Sequence, residues 1–119
     1  RFGPWEAEWG RAAARLLLND GAAFDAVICQ NDVLARGCIE ELERNGCRVP
    51  QDVAVIGHDN SPDYVSYAHP LLTSIDDNNE MLGRQAALCL LDAIAGHPHH
   101  GVERVPVKLI QRESTLPLD

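Results

Sequence analysis

The chain has 119 residues, of which 45% are hydrophobic, a formal net charge of −8 and a pI of about 4.9. This length suits one domain with a buried core, and the acidic surface would repel phosphate groups and so disfavours direct contact with nucleic acid. The four cysteines form no C-x-x-C pair and are expected to stay reduced, which favours a cytoplasmic protein, and no apolar stretch of membrane length is present.

The first predicted element is a helix that ends at Asn19. Gly3-Pro4-Trp5 leads into it, and Asp20-Gly21 terminates it. Its apolar residues recur at helical spacing and form one stripe: Trp5, Trp9, Ala12, Ala13, Leu16 and Leu17.

The next stretch, Ala26 to Asn60, predicts a strand, a helix and a second strand. Ala26 to Cys29 is a short apolar run without alternation, which is typical of a parallel strand buried on both faces. A helical pattern follows and ends at Asn45-Gly46, and Val53 to Ile56 is the second buried run. This βαβ unit places the chain in the α/β class, with a Rossmann-like parallel sheet flanked by helices.

Polar residues follow both strands of this unit. Asn31 and Asp32 come after the first strand, and Asp59 and Asn60 come after the second. Parallel sheets bind ligands at the carboxyl ends of their strands, so these groups are candidates for binding the hydroxyls of a sugar or the polar edge of a nucleoside. The alternative is that the first pair only caps a helix and the second pair only forms a turn.

The remaining elements complete the sheet. A turn with a short helix is predicted from Ser61 to Pro70, a strand over Leu71 to Ile75, and a helix over Glu80 to Ala95. That helix is apolar on so much of its circumference that it should be buried from more than one side. A last strand is predicted over Val105 to Ile110, and Pro106 indicates an edge position for it.

His97, His99 and His100 form the densest group of potential metal ligands. They lie in a Pro- and Gly-containing turn, without a carboxylate or cysteine at fixed spacing. The sequence therefore predicts no metal site here, and it indicates no cofactor.

The residue identities in the central stretch are more specific than its pattern of apolar and polar positions. It contains Asn31-Asp32, Gly37, Gly46, Val49-Pro50, Asp52-Val53, Val55-Ile56-Gly57 and Asp59. Leu71-Leu72-Thr73-Ser74-Ile75, Leu82-Gly83 and Arg112-Glu113-Ser114-Thr115 extend the pattern over nearly the whole chain. In these motifs the chain resembles the effector-binding domain of the lactose-repressor/galactose-repressor family of transcription regulators.

The resemblance implies a fold and a domain plan. The chain would be the C-terminal part of a type I periplasmic-binding-protein-like clamshell, with residues 1–75 and 104–119 forming the C-terminal subdomain. Residues 76–103 would cross over so that their helix packs on an N-terminal subdomain whose sheet is missing from this sequence. The family binds DNA through a separate helix-turn-helix headpiece, which is also absent here.

The resemblance also implies roles for particular residues. Asn31, Asp32 and Asp59 would supply polar contacts to the effector, Trp5 would stack on a sugar ring, and Asp77 would contact the ligand from the crossover. Two of the residues expected near the cleft depart from the family pattern: His58 replaces an aromatic residue, and Asp77 replaces a glutamine. The implied homodimer interface consists of Tyr64, Val65, Tyr67, Ala68, Leu71 and Leu72.

The sequence leaves three classes of function to be distinguished for this protein. The first is the sensor of a small-molecule effector, a sugar or nucleobase-like compound, in a homodimeric cytoplasmic regulator. The second is a periplasmic sugar-binding protein of an ABC transporter, which would carry a secretory leader and would rarely keep four unpaired cysteines. The third is an enzyme, which is disfavoured because the loop after Cys29 has no glycine-rich phosphate motif and no serine lies in a nucleophile motif.

Overall fold

The computed structural model describes residues 3–21 and 23–115, so residues 1–2, 22 and 116–119 of the predicted subdomain ranges lie outside the described residues. Eight elements follow one another along the described chain: α1 (Ala7–Asn19), β1 (Ala26–Ile28), α2 (Asp32–Arg44), β2 (Ala54–His58), α3 (Pro62–Val65), β3 (Thr73–Asp76), α4 (Asn79–Ile94) and β4 (Lys108–Ile110). No helix in the described ranges is both long enough and apolar enough to span a membrane.

The strands form one sheet in the order β1-β2-β3-β4. The first three are parallel, and β4 is antiparallel to β3, with Asp76 opposite Lys108. The α/β class is confirmed. The edge position that Pro106 indicated is also confirmed, because β4 ends the sheet in the described residues.

The core lies between α2 and the sheet, and α1 packs against α2 and adds Ala14 to this core. Leu42, Val55 and Leu72 have no solvent-exposed surface. The two helices cross at glycines, because a Cβ on Gly10 would overlap the Leu34 carbonyl and one on Gly37 would overlap the Ala7 carbonyl. The close crossing makes α2 the most buried helix of the described chain.

The prediction that β1 is buried on both faces is wrong for these residues. Its burial alternates, and Ile28 is 76% exposed. The physical reason is that β1 forms an edge of the described sheet and pairs on one side only, with β2. An uninterrupted apolar run does not indicate which strand lies at an edge.

Helix α4 projects from the rest of the molecule. None of its 16 residues is buried, and Leu82, Leu90 and Ile94 are 50%, 62% and 74% exposed. The radius of gyration is 18.0 Å, whereas a compact chain of this length has one of about 13.5 Å. The apolar helix that the sequence predicts to be buried therefore has no neighbour within the described residues that buries any of its side chains.

Candidate functional site

The loops that follow β1 and β2 meet the end of β3 at one edge of the sheet, which we call the rim. Asp32, at the first turn of α2, is 1% exposed and connects these loops. Its Oδ2 accepts a hydrogen bond from the Ser61 backbone N–H at 2.7 Å, and its Oδ1 accepts one from the Ser74 hydroxyl at 2.6 Å. Burial raises the pKa of this carboxyl, while the two hydrogen bonds act to lower it.

The Asp32 carboxylate also explains a glycine in the sequence motif. A Cβ on Gly57, in β2, would overlap Asp32 Oδ1 and crowd the Leu72 side chain. Only a residue without a side chain leaves room for the carboxylate against the strand. The glycine after Val55-Ile56 is thus required by a residue 25 positions earlier in the chain.

Asp59 and Asn60 both have left-handed backbone conformations, with φ of 98° and 50°. Such conformations cost about 1–3 kcal/mol each for non-glycine residues and persist where the surroundings impose them. Here the Asp59 N–H donates to the Ile75 carbonyl, the Asn60 N–H donates to the Ser74 hydroxyl, and Arg112 donates to Asn60 Oδ1 at 2.8 Å. The network fixes the turn and leaves the Asp59 side chain 48% exposed at the rim.

His58 joins Asp59 to the crossover that follows β3. Its Nδ1 lies 3.3 Å from Asp59 Oδ1, and its Nε2 lies 3.3 Å from Asp77 Oδ1. The two positions at which the sequence departs from the family pattern are therefore in contact.

The structure brings only some of the predicted site residues together. Asp32, Asp59 and Asp77 belong to the rim. Asn31 is 4% exposed, and its Oδ1 accepts a hydrogen bond from the Leu34 N–H at 2.9 Å, so it caps α2. Trp5 is 68% exposed ahead of α1 and is not part of the rim's hydrogen-bond network in residues 3–21 and 23–115.

Sequence reasoning missed Ser74 and Arg112 as residues that build the rim. Both were recognised only as parts of the family motifs, and their long-range partners carry no local sequence signal. Ser74 bonds Asp32 across 42 positions, and Arg112 bonds Asn60 across 52.

The predicted dimer segment is held by one buried cation. Arg36 of α2 is 3% exposed and donates to the carbonyls of Tyr64, Val65 and Pro70. Its guanidinium carbon also lies 5.4 Å from the Tyr67 ring centroid, at the range of a cation–π contact. Burial lowers the pKa of this guanidinium.

Two residues of the predicted interface are buried within the chain itself. Val65 is 3% exposed and Leu72 is 0% exposed, and both belong to the hydrophobic core. They are unable to present their side chains to a partner, so the prediction is corrected for these two. Tyr67 is 62% exposed, and Tyr64, Ala68 and Leu71 are partly exposed.

An open groove of about 880 Å³ lies near the amino ends of β2 and β3, at the edge opposite the rim. Glu113, in its lining, accepts hydrogen bonds from the Leu71 N–H at 2.8 Å and pairs with His69 at 2.6 Å. These contacts lower the pKa of Glu113, the Leu71 N–H most. The groove adjoins the segment that Arg36 holds and shares Arg112 with the rim, but Asp32, Asp59 and Asp77 do not line it.

Comparison with known proteins gives consistent matches over the whole described chain. A family model for the periplasmic binding protein-like domain matches residues 3–115. The HTH-type transcriptional regulator CelR of Thermobifida fusca is 36% identical over 114 residues, which is 95% of this chain and 33% of CelR. The lactose operon repressor of Escherichia coli K12 is 33% identical over 116 residues, or 98% of this chain and 32% of the repressor. The chain thus spans about a third of the length of these relatives.

Solved structures agree with the sequence matches. A dimeric lac repressor with an 11-residue C-terminal deletion has a TM-score of 0.88 at 32% identity, covering 98% of this chain and 43% of that one. A complex of the regulator CelR with cellobiose has a TM-score of 0.81 at 36% identity, covering 94% of this chain and 34% of that one.

Proposed function

This chain belongs to the periplasmic binding protein-like domain family, and we propose that it forms the C-terminal part of the ligand-sensing domain of a LacI-type transcription regulator, as its similarity to such regulators supports. The effector is a small polar molecule of the sugar class, and its binding controls the affinity of a homodimer for DNA. A coupling free energy of about 1–3 kcal/mol is sufficient for such control.

The observation that carries this proposal is the Asp59 turn. Asp59 has a left-handed backbone conformation and a part-exposed carboxylate at the carboxyl edge of a parallel sheet. Its N–H donates to the Ile75 carbonyl, while Ser74 and Arg112 hold the adjoining Asn60. Carboxylates at such an edge suit sugar hydroxyls. The regulator CelR, 36% identical to this chain, has been solved with cellobiose, which supports a sugar as the effector.

We propose that α4 packs on a second subdomain of the whole protein. An apolar helix without any buried residue and relatives about three times longer than this chain support this. The effector would then bind between the rim and that second subdomain, while residues 1–75 and 104–119 form the C-terminal subdomain, as the sequence predicts.

We also propose that Tyr64, Tyr67, Ala68 and Leu71 contribute to a homodimer interface. Tyr67 is exposed on a segment that the buried Arg36 holds in place, and the lac repressor matched above was solved as a dimer. DNA would be bound through a headpiece elsewhere in the protein, in the cytoplasm and without catalysis. The matched relatives are transcription regulators, which disfavours the transport alternative.

The test begins with a thermal-shift screen of the full-length protein against sugars, polyols and nucleobases. With a hit in hand, Asp59→Ala should weaken its binding more than tenfold in calorimetry, because losing a charged acceptor costs about 1.5–3 kcal/mol. The melting temperature should stay close to wild type, since the Asp59 side chain is 48% exposed.

Asp63→Ala is the matched control, because Asp63 is an exposed carboxylate on α3. It should leave affinity unchanged. Equal affinity of the Asp59→Ala variant and wild type would remove Asp59 from the site, and turnover of a candidate sugar would contradict the sensor function itself.

A further inference from the structure

His58, Asp59 and Asp77 form a compact group of potential metal ligands, which we call the rim triad. One ligand atom from each lies within 4.8 Å of the others. The side chains are 36%, 48% and 27% exposed, so the group is reachable from solvent without being fully open to it. The nitrogen and oxygen donors come from the end of β2 and from the crossover after β3.

The charges of the rim triad do not balance. An imidazole carries at most one positive charge, whereas the two carboxylates carry two negative charges, so the ionised triad is always net negative. In the described ranges, the ion pairs of Asp59 and Asp77 both involve His58, and Arg112 donates instead to Asn60. A site with this charge attracts a cation.

The distances in the rim triad suit an ion. Each ring nitrogen of His58 lies 3.3 Å from a carboxylate oxygen, Nδ1 from that of Asp59 and Nε2 from that of Asp77. A metal ion placed between one of these nitrogens and its neighbouring oxygen would form a coordination bond to each.

We infer that the rim triad binds a divalent transition-metal ion of the zinc class. Zinc bonds to imidazole nitrogen and carboxylate oxygen are about 2.0–2.2 Å long, which puts neighbouring ligand atoms of a tetrahedral site about 3.4 Å apart. The 3.3 Å between His58 Nε2 and Asp77 Oδ1 matches this spacing. The Asp59 carboxylate approaches the other ring nitrogen, and its ligand atom lies within 4.8 Å of those of His58 and Asp77, so the third bond requires the half-exposed Asp59 side chain to rotate.

Three protein ligands leave at least one coordination position open. Because the triad lies at the rim, hydroxyl oxygens of an effector bound there are suited to complete the coordination. This role in effector binding rests on the proposed function, but binding of the ion to the triad does not. An effector that chelates metal would then bind more tightly in the presence of the ion.

The neighbouring residues restrict which groups join the site. Asp76 is already engaged, because its Oδ1 accepts the Asn78 N–H and its Oδ2 accepts the Asn60 amide N–H. The histidines of the turn after α4, at positions 97, 99 and 100, are exposed and are the main competitors for added metal. The experiment therefore needs a background that lacks them.

The experiment titrates the full-length protein, freed of metal by a chelator, with zinc chloride in a calorimeter. Cobalt chloride serves as a spectroscopic substitute, since cobalt bound with nitrogen and oxygen ligands absorbs in the visible range. The parent variant carries His97→Gln, His99→Gln and His100→Gln, and we expect it to bind one ion per chain.

His58→Phe and Asp77→Gln each restore the residue type of the family pattern. Both should weaken zinc binding at least about tenfold, because even residues that only support a metal ligand cost 10–100-fold when changed. His58→Gln is a smaller change that keeps the test valid if the phenylalanine variant does not fold. Thermal melting in the presence of a chelator establishes that each variant is folded.

Three results would overturn the inference. These are no zinc binding by the parent variant, equal binding by the parent and the folded His58 and Asp77 variants, or binding that wild type shows and the parent variant loses. None of them uses an effector, so failure here leaves the sensor function standing. Conversely, zinc binding at the triad without any effector hit would leave the metal site standing.

Discussion

Helices α2 and α4 are both rich in apolar residues, but the structure treats them in opposite ways. Nine of the 13 residues of α2 are buried, including the charged Asp32, Arg36 and Glu41. None of the 16 residues of α4 is buried, although it carries a methionine, four leucines and an isoleucine. Burial is therefore set by the surfaces available to pack against a helix, rather than by its apolar content.

The neighbours of each helix explain the difference. Helix α2 packs against both α1 and the sheet, and its first turn is joined to the rim through Asp32. Helix α4 lies along the returning segment 103–106, where the Cys89 thiol donates to Glu103 at 3.4 Å. One side of α4 therefore contacts only the short segment 103–106, and the rest of the helix faces solvent.

The largest expected effect is in α2. Leu42 is 0% exposed, so Leu42→Ala leaves a cavity and should lower the free energy of unfolding by about 2–5 kcal/mol. The loss should be the same in the full-length protein and in residues 1–119 produced alone, because the described chain supplies every neighbour of Leu42. Urea unfolding of both proteins measures this loss of free energy. A loss below about 1 kcal/mol would contradict the tight packing around Leu42.

Leu90 of α4 gives the contrasting result. It is 62% exposed, so Leu90→Ala in residues 1–119 should change the free energy of unfolding by no more than about 0.5 kcal/mol. In the full-length protein, burial on a second subdomain would raise the cost to about 1.5–3 kcal/mol.

Urea unfolding of the dilute, monomeric segment and of the full-length protein measures this difference, with light scattering to establish the monomer. Leu42→Ala is the control, since its cost should not depend on length. A small cost for Leu90→Ala in both proteins would mean that α4 stays exposed in the whole molecule, and the proposed subdomain contact would be wrong.

A substitution at Ala68 tests the outer surface of the molecule on the side of the buried helix α2. It is partly exposed on the segment that Arg36 holds, and a charge here would enter a two-fold interface twice. Ala68→Asp should shift the full-length protein from dimer towards monomer in light scattering at micromolar concentration. Val65→Asp is unsuitable, because Val65 is buried in the core. A dimer that survives Ala68→Asp would place the interface elsewhere.

The sequence predicted the elements and the site region better than the contacts. The helices and strands follow from apolar spacing and caps, such as Asn31 ahead of α2. The role of Asp32 did not follow, because its partners Ser61 and Ser74 lie 29 and 42 positions away. The local sequence around Asp32 fits a helix cap, a ligand contact or a buried connection between loops equally well. Only the fold distinguishes these three roles.

The smallest expected effect is at the turn that enters β2, on the packed side of the molecule. Arg48 donates to Asp52 from its guanidinium, at 2.6 Å to Oδ1, and from its backbone N–H, at 2.8 Å to Oδ2. The guanidinium contact contributes most, and together they lower the pKa of Asp52 to about 2 from an ordinary value of 3.8. An acid with a lowered pKa stabilises the fold above its ordinary pKa, and this contribution is lost as the pH falls from about 4 to 2.

The side-chain carboxyl signal of Asp52 in an NMR titration should therefore have its midpoint near pH 2. In Arg48→Ala the midpoint should rise only part of the way towards 3.8, because the backbone N–H still donates. The melting temperature at pH 7 should change little, since exposed ion pairs contribute little to stability. An unchanged midpoint in Arg48→Ala would show that the guanidinium does not hold the carboxylate. A clear loss of stability at pH 7 would mean that this surface turn supports the sheet as strongly as the residues beneath it.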